Sequence, residues 1–170
     1  MMANKVIDWA VLFDLDETLV LTSEIESLRR KPWARAYAAF PKTRLPNGTV
    51  QFLEKISDKA RLGVVTKTPR PYAEKLLSYH NMNIPVLAAY HDVRNVKPHP
   101  EALLLAAEKL GIEPSKCFYV GDDAKDVQAA RSAKFIPVGI CWGNPVDIGL
   151  SYICTSWDEV YDEILRLIPG

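Results

Sequence analysis

The chain has 170 residues, of which 48% are hydrophobic and 25% are charged, and its formal net charge is zero. This composition is typical of one globular domain with a buried core, and it excludes an intrinsically disordered chain. A net charge of zero gives no overall field toward nucleic acid or a membrane surface. No stretch approaches the roughly 20 apolar residues that a membrane span needs, and no apolar core of signal-peptide length stands at the N-terminus.

The cysteines indicate the redox compartment. Cys117, Cys141 and Cys154 are odd in number and widely spaced, and they form no Cys-x-x-Cys pattern. Reduced and mostly buried thiols fit this usage better than a disulfide framework or a zinc site. We therefore expect a cytoplasmic protein without a membrane partner.

Apolar runs and helical periodicities alternate along the chain. Apolar runs bounded by turn signals predict strands at 9–15, 62–65, 86–89, 117–120, 135–140 and 151–154. Apolar positions at helical spacing predict helices at 23–40, 49–58, 69–80, 101–110, 124–133 and 156–167. We expect Ser23 and Thr68 to act as N-caps of the first and third helices, and Pro32 to interrupt the first.

This alternation predicts an α/β fold. A strand, a helix and a further strand in succession favour a parallel sheet with helices on both faces and right-handed crossovers. No composition shift or internal repeat divides the chain, so we expect a single domain over residues 1–170. The pattern leaves the strand order open.

The stretch Val11–Val20 contains the first indication of chemistry. Its apolar run ends in Asp14 and Asp16, which are two residues apart and would face the same way on a strand. Two carboxylates that close are costly unless one holds a proton or a cation neutralises them. On this stretch alone, an exposed acidic loop after a strand is the alternative.

Other polar side chains are expected at the same edge, because ligands of open parallel sheets bind beyond the carboxyl ends of the strands. The residues that follow predicted strands, or lie close to them along the chain, are Asp14, Asp16, Thr66, Lys97, Asp122, Asp123 and Asp126. Several carboxylates without a matching excess of cations suggest a bound divalent metal. All candidate ligands are oxygens, so Mg²⁺ is favoured over zinc.

Four motifs carry a resemblance to a known family. They are Asp-Leu-Asp-Glu-Thr at 14–18, Val-Val-Thr-Lys-Thr-Pro at 64–69, Lys-Pro-His-Pro at 97–100 and Val-Gly-Asp-Asp-Ala-Lys-Asp at 120–126. In this order, and over about residues 9–143, they resemble the motifs of the haloacid dehalogenase-like phosphohydrolase superfamily. The resemblance implies a Rossmann-like three-layer sandwich around a central parallel sheet, and a Mg²⁺-dependent phosphomonoester hydrolase.

The resemblance also implies roles for individual residues. Asp14 would be the nucleophile that forms an aspartyl-phosphate, and Asp16 the general acid and later the general base. Lys97 and Thr66 would bind the transferring phosphoryl group. The superfamily's dehalogenases lack an aspartate two residues after the nucleophile, so Asp16 argues against carbon–halogen chemistry.

The implied metal site uses the same sheet edge. Mg²⁺ would be bound by Asp14, by the backbone carbonyl of Asp16 and by Asp122. Asp123 or Asp126 would add a further ligand, and the motif leaves open which of the two does so.

One position departs from the family pattern. Relatives often carry asparagine after the hydroxyl residue of the second motif, whereas this chain has Lys67. Lys67 either reaches the substrate as a further phosphate-binding group or faces solvent. Two alternatives to a phosphatase remain open, namely a phosphotransferase or phosphomutase on the same intermediate and a non-catalytic regulatory module with this fold.

Residues 20–47 stand where many relatives insert a helical cap domain. This segment is too short for a full cap, so we expect a flap with one broken helix and an open site. Its stretch from Arg29 to Arg44 contains six basic residues and no acidic one. It is either a patch that recognises an anion or a solvated basic helix whose aromatic side chains pack on the core. The expected substrate is a phosphorylated small molecule or the phosphorylated end of a macromolecule; a nucleic acid is compatible with the basic stretch.

Overall fold

The computed structural model describes residues 6–168 and is built around one six-stranded sheet in which every strand pair is parallel. The strands are β1 Ala10–Phe13, β2 Arg61–Val65, β3 Val86–Ala88, β4 Cys117–Gly121, β5 Ile136–Ile140 and β6 Ile153–Cys154. The α-helices are α1 Ala34–Ala38, α2 Thr49–Ser57, α3 Arg70–Tyr79, α4 Glu101–Leu110, α5 Ala124–Ser132 and α6 Trp157–Leu165. The predicted α/β fold with a central parallel sheet is confirmed.

The strand order, which the sequence left open, is β3-β2-β1-β4-β5-β6. Phe13 pairs with Val64 on one side and with Val120 on the other, so β1, β2 and β4 end at nearly the same level. The chain runs outward from β1 in both directions. The carboxyl ends of β1 and β4 therefore form the topological switch point, where open α/β sheets bind ligands.

Each face of the sheet has its own core. Val11 and Phe13 of β1 pack with residues of α2, α3 and α6, whereas Ala10 and Leu12 pack with residues of α4 and α5. Alternate side chains of a strand face opposite sides, so β1 is buried on both faces. The polar residues that follow β1 therefore emerge from a strand that is packed between two helical layers.

The segment predicted as a helix at 23–40 with an interruption at Pro32 is broken there, and it consists of short helical pieces. A 3₁₀ turn at Ser23–Leu28 is followed by the one-turn helix α1, since Pro32 cannot continue the hydrogen-bond ladder. Ser23 is not the N-cap. Thr22 holds that position without a side-chain capping bond, because its hydroxyl donates to Asp16 Oδ1 at 2.8 Å.

Thr68 does not cap α3 either. Pro69 occupies the N-cap position, and the helix begins at Arg70. The Thr68 hydroxyl instead lies 2.8 Å from the Thr66 hydroxyl. The Thr68 hydroxyl is thus bonded to the side chain that follows β2 and not to the N-terminus of α3.

Residues 20–47, called the connecting segment from here on, lie against α3. Leu21 and Arg44 pair through two backbone hydrogen bonds at the base of the segment. Phe40 is buried and its ring lies 5.8 Å from that of Tyr72 on α3. The aromatic side chains of the segment therefore contribute to the core, as one of the two interpretations expected.

The thiols of Cys117 and Cys154 are buried, and burial raises the pKa of each to about 12. Cys141 is a half-buried free thiol. Over residues 6–168, none of the helices combines the length and the apolar character that crossing a membrane requires.

Candidate active site

Three carboxylates meet at the switch point. Asp14 follows β1, Asp122 follows β4, and Asp126 lies in the first turn of α5; one oxygen of each lies within 4.8 Å of the others. The Asp14 amide donates to the carbonyl of Val120 at 2.9 Å, which fixes the end of β1 against β4. A Cβ at Gly121 would lie 2.5 Å from the Asp126 side chain, so only glycine admits that carboxylate beneath the strand end.

Lys97 lies between two of these carboxylates. Its Nζ donates to Asp14 Oδ1 at 2.9 Å, to Asp126 Oδ1 at 2.8 Å and to the Tyr119 hydroxyl at 2.7 Å. The Tyr119 hydroxyl donates in turn to the carbonyl of Val65 at 2.9 Å. Burial alone would lower the pKa of Lys97, but the neighbouring carboxylates outweigh it and the pKa is raised well above its usual value. Lys97 is therefore a buried cation whose three N–H groups all have partners.

One ammonium does not neutralise three carboxylates. Burial, followed by the charge of Asp14, raises the pKa of Asp122 to about 8 and that of Asp126 to about 6. A group of crowded carboxylates that resists ionisation is stabilised by a cation bound among them. The donors are all oxygens at close spacing, so the cluster fits a hard divalent ion such as Mg²⁺.

The raised pKa of Asp122 predicts how stability depends on pH. The folded state retains a proton on Asp122 up to about pH 8, whereas the unfolded chain releases it near the ordinary value of 3.8. Without metal, the free energy of unfolding should therefore fall as pH rises from 5 to 8, by up to about 1.4 kcal/mol per pH unit. Thermal melting in EDTA tests this, and the Asp122→Asn variant should lack this component of the slope.

Other titrating groups, such as His80, contribute equally to the pH dependence of stability in the wild-type protein and in Asp122→Asn. Their contribution therefore drops out of the difference between the two proteins. Magnesium should raise the melting temperature of the wild-type protein more at pH 8 than at pH 5, because it competes with the proton. Parallel melting curves for wild type and Asp122→Asn across this range would contradict the assigned shift.

Asp16 lies outside the carboxylate cluster. Its Oδ1 accepts hydrogen bonds from the Thr22 hydroxyl at 2.8 Å and the Tyr72 hydroxyl at 2.7 Å, and Arg29 Nη1 lies 3.2 Å away. All three groups contact the same oxygen. The carboxylate is thereby held in one orientation by α3 and by the connecting segment.

The remaining candidate residues lie around this centre. Thr66 is buried at the end of β2, and Lys67, the next residue, is exposed. The Asp123 carboxylate accepts the amide of Asp126 at 2.9 Å and so caps α5. Asp126, rather than Asp123, thus lies in the three-carboxylate group, and the carboxylate of Asp16 lies elsewhere.

Some side chains of the site were missed by the sequence reasoning. Tyr119 and Tyr72 stand in apolar stretches, and only their hydroxyl groups give a signal that they reach a polar site. Thr18 donates to Asp122 Oδ1 at 3.2 Å and could have been considered as part of the first motif. Arg29 was assigned to the basic stretch without a partner, because its contact with Asp16 depends on how the connecting segment folds.

Comparisons with known proteins give a family match and several relatives. The sequence profile of the haloacid dehalogenase-like hydrolase family matches residues 25–139. The phosphoglycolate phosphatase of Escherichia coli strain K12 is 37% identical over 111 residues, which are 64% of this chain and 43% of that protein. The phosphoglycolate phosphatase of Salmonella paratyphi A matches with the same identity and coverage. The chain thus spans less than half the length of these curated relatives.

Solved structures resemble the whole fold. A HAD phosphatase from Thermococcus onnurineus has a TM-score of 0.75 at 22% identity, covering 92% of this chain and 97% of that one. A HAD-superfamily hydrolase of subfamily IA from Geobacter sulfurreducens has a TM-score of 0.75 at 21% identity, covering 91% and 98%. At this identity the likeness concerns the fold alone.

Proposed function

The chain belongs to the haloacid dehalogenase-like hydrolase family, and from this premise we propose that it is a Mg²⁺-dependent phosphomonoester hydrolase. One observation carries the proposal. Asp14 stands at the switch point within 4.8 Å of two further carboxylates, and a buried ammonium contacts it at 2.9 Å. A nucleophile, a cation site and a fixed positive charge are what attack on an anionic phosphorus requires.

In the proposed first step, an Asp14 oxygen attacks phosphorus and the bond to the leaving oxygen breaks, which gives an aspartyl-phosphate. Lys97 donates a hydrogen bond to Oδ1 of Asp14 and supplies positive charge beside the phosphoryl group. The Thr66 hydroxyl lies at the end of the neighbouring strand and would donate to a phosphoryl oxygen. Lys67 is exposed and is proposed as a contact for the substrate beyond the phosphoryl group.

The metal would be held by the carboxylates of Asp14, Asp122 and Asp126, with the Asp16 carbonyl as a further ligand. When bound, it supplies positive charge that offsets the repulsion between an anionic nucleophile and an anionic substrate. Asp123 would act indirectly, because its carboxylate holds the first turn of α5, on which Asp126 lies.

Asp16 is proposed to carry the protons. It would protonate the leaving oxygen in the first step and deprotonate the attacking water in the second, which releases orthophosphate. Because its three contacts all involve Oδ1, we assign the mobile proton to Oδ2.

Replacement of Asp16 by Asn tests this role through the leaving group. General acid catalysis typically contributes about 10²- to 10⁴-fold, and a poor leaving group needs it more. The first-step rate should therefore fall by this factor for an alkyl phosphate and by much less for para-nitrophenyl phosphate. Single-turnover release of alcohol or nitrophenol measures that step. Equal losses on both substrates would remove Asp16 from the proton path.

The overall activity is tested directly. The purified protein should release phosphate from para-nitrophenyl phosphate with Mg²⁺ and stop when EDTA is added. Phosphate transfer to an added sugar phosphate in place of water would indicate the phosphotransferase alternative. We further propose that the chain is a single domain in the cytoplasm and that its connecting segment takes the place of a cap. Its substrate is proposed to be a phosphorylated small molecule, by analogy with relatives named as phosphoglycolate phosphatases.

A further inference from the structure

A cavity of about 860 Å³ opens beside Arg29 and Thr68, which contact Asp16 and Thr66. One wall comes from the connecting segment, and the other comes from the loops that follow β2 and β3. Its lining combines basic side chains with aromatic side chains and two prolines. Its volume lies within the range of small-molecule sites.

Two of these wall residues touch the proposed catalytic groups. Arg29 Nη1 lies 3.2 Å from Asp16 Oδ1, and the Thr68 hydroxyl lies 2.8 Å from the Thr66 hydroxyl. Asp16 is assigned to the leaving oxygen and Thr66 to the phosphoryl group. The cavity therefore lies next to the residues that are proposed to act on the leaving oxygen and on the phosphoryl group.

The cavity has an excess of positive charge. Four of its residues are cationic, and Glu26 is its one acidic residue. Among residues 6–168, no carboxylate lies within 4.0 Å of the side-chain nitrogens of Arg30, Lys31 or Lys67. Arg29 also has a buried Nε without an acceptor in this part of the chain. An occupant with a negative charge of its own would complement this wall.

The cavity also has flat apolar walls. Trp33 lies on the connecting segment, and Tyr90 lies beyond β3 with 47% of its surface exposed. Pro69 and Pro71 lie between them along the chain and complete the lining. Trp33 is half-buried and its ring lies 5.3 Å from that of Tyr72, whereas Tyr90 is more exposed. Aromatic side chains that line a cavity suit a planar ring, since bases stack on such side chains with little dependence on their identity.

We propose that the leaving group is a nucleoside that carries a second phosphate, with its base among the aromatic side chains and its second phosphate near Arg30 and Lys31. This inference rests on the proposed phosphatase activity and specifies its substrate class. The phosphorus–oxygen bond to the nucleoside breaks, its oxygen takes the proton from Asp16, and water releases orthophosphate from Asp14. No further reactant is needed.

Four substrates separate the contributions of the ring and of the second charge. Adenosine 3′,5′-bisphosphate has both the base and a second charged group, and glycerol 2-phosphate has neither. Adenosine 5′-monophosphate has only the base, and phosphoglycolate has only the second charged group. We expect kcat/KM for the bisphosphate to exceed that for glycerol 2-phosphate by at least about 100-fold, since each added interaction typically gives about tenfold. Equal values for all four, or a preference for phosphoglycolate, would overturn the proposal.

Matched variants assign each contribution to its wall. Arg30→Ala combined with Lys31→Ala should lower the ratio of kcat/KM for the bisphosphate to kcat/KM for the monophosphate by about tenfold. The control is Arg35→Ala combined with Lys42→Ala, which removes two exposed cations of the same segment outside the cavity. It should leave this ratio of kcat/KM values unchanged. Tyr90→Ala should lower the ratio of kcat/KM for the monophosphate to kcat/KM for glycerol 2-phosphate.

Tyr152→Ala serves as the control for Tyr90→Ala, because Tyr152 is 53% exposed and lies outside this cavity. If a cavity variant loses the same factor in kcat/KM on all four substrates, the assignment of the second charge to Arg30 and Lys31, and of the base to Tyr90, is overturned. If even para-nitrophenyl phosphate releases no phosphate, the proposed function fails. Calorimetric titration with adenosine 3′,5′-bisphosphate and Mg²⁺ then decides the cavity separately. Binding that Arg30→Ala with Lys31→Ala weakens would support it, and absence of binding would overturn it.

Discussion

Replacement of Asp14 by Asn is expected to lower kcat for phosphomonoester hydrolysis by at least about 10⁴-fold, because loss of a nucleophile removes the covalent route altogether. The amide has no anionic oxygen to attack phosphorus, but its carbonyl oxygen can still accept the hydrogen bond from Lys97. The variant should therefore fold, with a melting temperature near that of the wild-type protein. Steady-state phosphate release with Mg²⁺ measures the effect.

Asp8→Asn is the matched control for this prediction. Asp8 precedes the same strand at its opposite end, where it pairs with Lys116 on the surface. This substitution makes the same chemical change away from the site and should retain full activity. Activity above one hundredth of the wild-type value in a folded Asp14→Asn protein would remove Asp14 from the nucleophile role.

Replacement of Lys97 by Met should affect both activity and stability. The substitution leaves the carboxylates of Asp14 and Asp126 without their shared cation, and removal of one partner of a buried ion pair costs about 3–5 kcal/mol. Loss of a preorganised charge beside the reacting group should lower kcat by about 10²- to 10³-fold. Urea unfolding at pH 8 and phosphate release measure the two effects.

The sign of the pH effect distinguishes this cause from a simple packing defect. At pH 5 Asp126 takes up a proton in the folded state, since its pKa is raised to about 6, so the loss of stability should be smaller than at pH 8. Lys125→Met removes a neighbouring exposed lysine on α5 and should change neither property. An equal loss at both pH values would contradict the electrostatic explanation.

The sequence predicted the features that depend on local pattern. The strands that end at Asp14, Thr66 and Asp122 were predicted because short apolar runs end there in polar residues. Their meeting at one edge followed from the geometry of a parallel sheet. Helix α4 was predicted at its observed bounds, since its periodicity is strong and Gly111 ends it in a left-handed conformation.

Contacts that depend on tertiary packing could not be predicted. The connecting segment has weak periodicity, so its 3₁₀ turn and the contact of Arg29 with Asp16 follow only from its packing on α3. Tyr72 and Tyr119 reach the site from positions that an apolar pattern assigns to the core. Ser23 and Thr68 were misjudged as N-caps, since Thr22 holds the N-cap position of the 3₁₀ turn and the Thr68 hydroxyl bonds to that of Thr66.

Detection of the covalent intermediate tests the central claim most directly. The Asp16→Asn variant, mixed with para-nitrophenyl phosphate labelled in its phosphorus, should form the intermediate and hydrolyse it slowly, because the substrate leaves readily and the general base is absent. After acid quenching and digestion, the account predicts label on the peptide that contains Asp14, in an amount that approaches one per protein chain. Turnover with no label on the protein, or label on another residue, would contradict it.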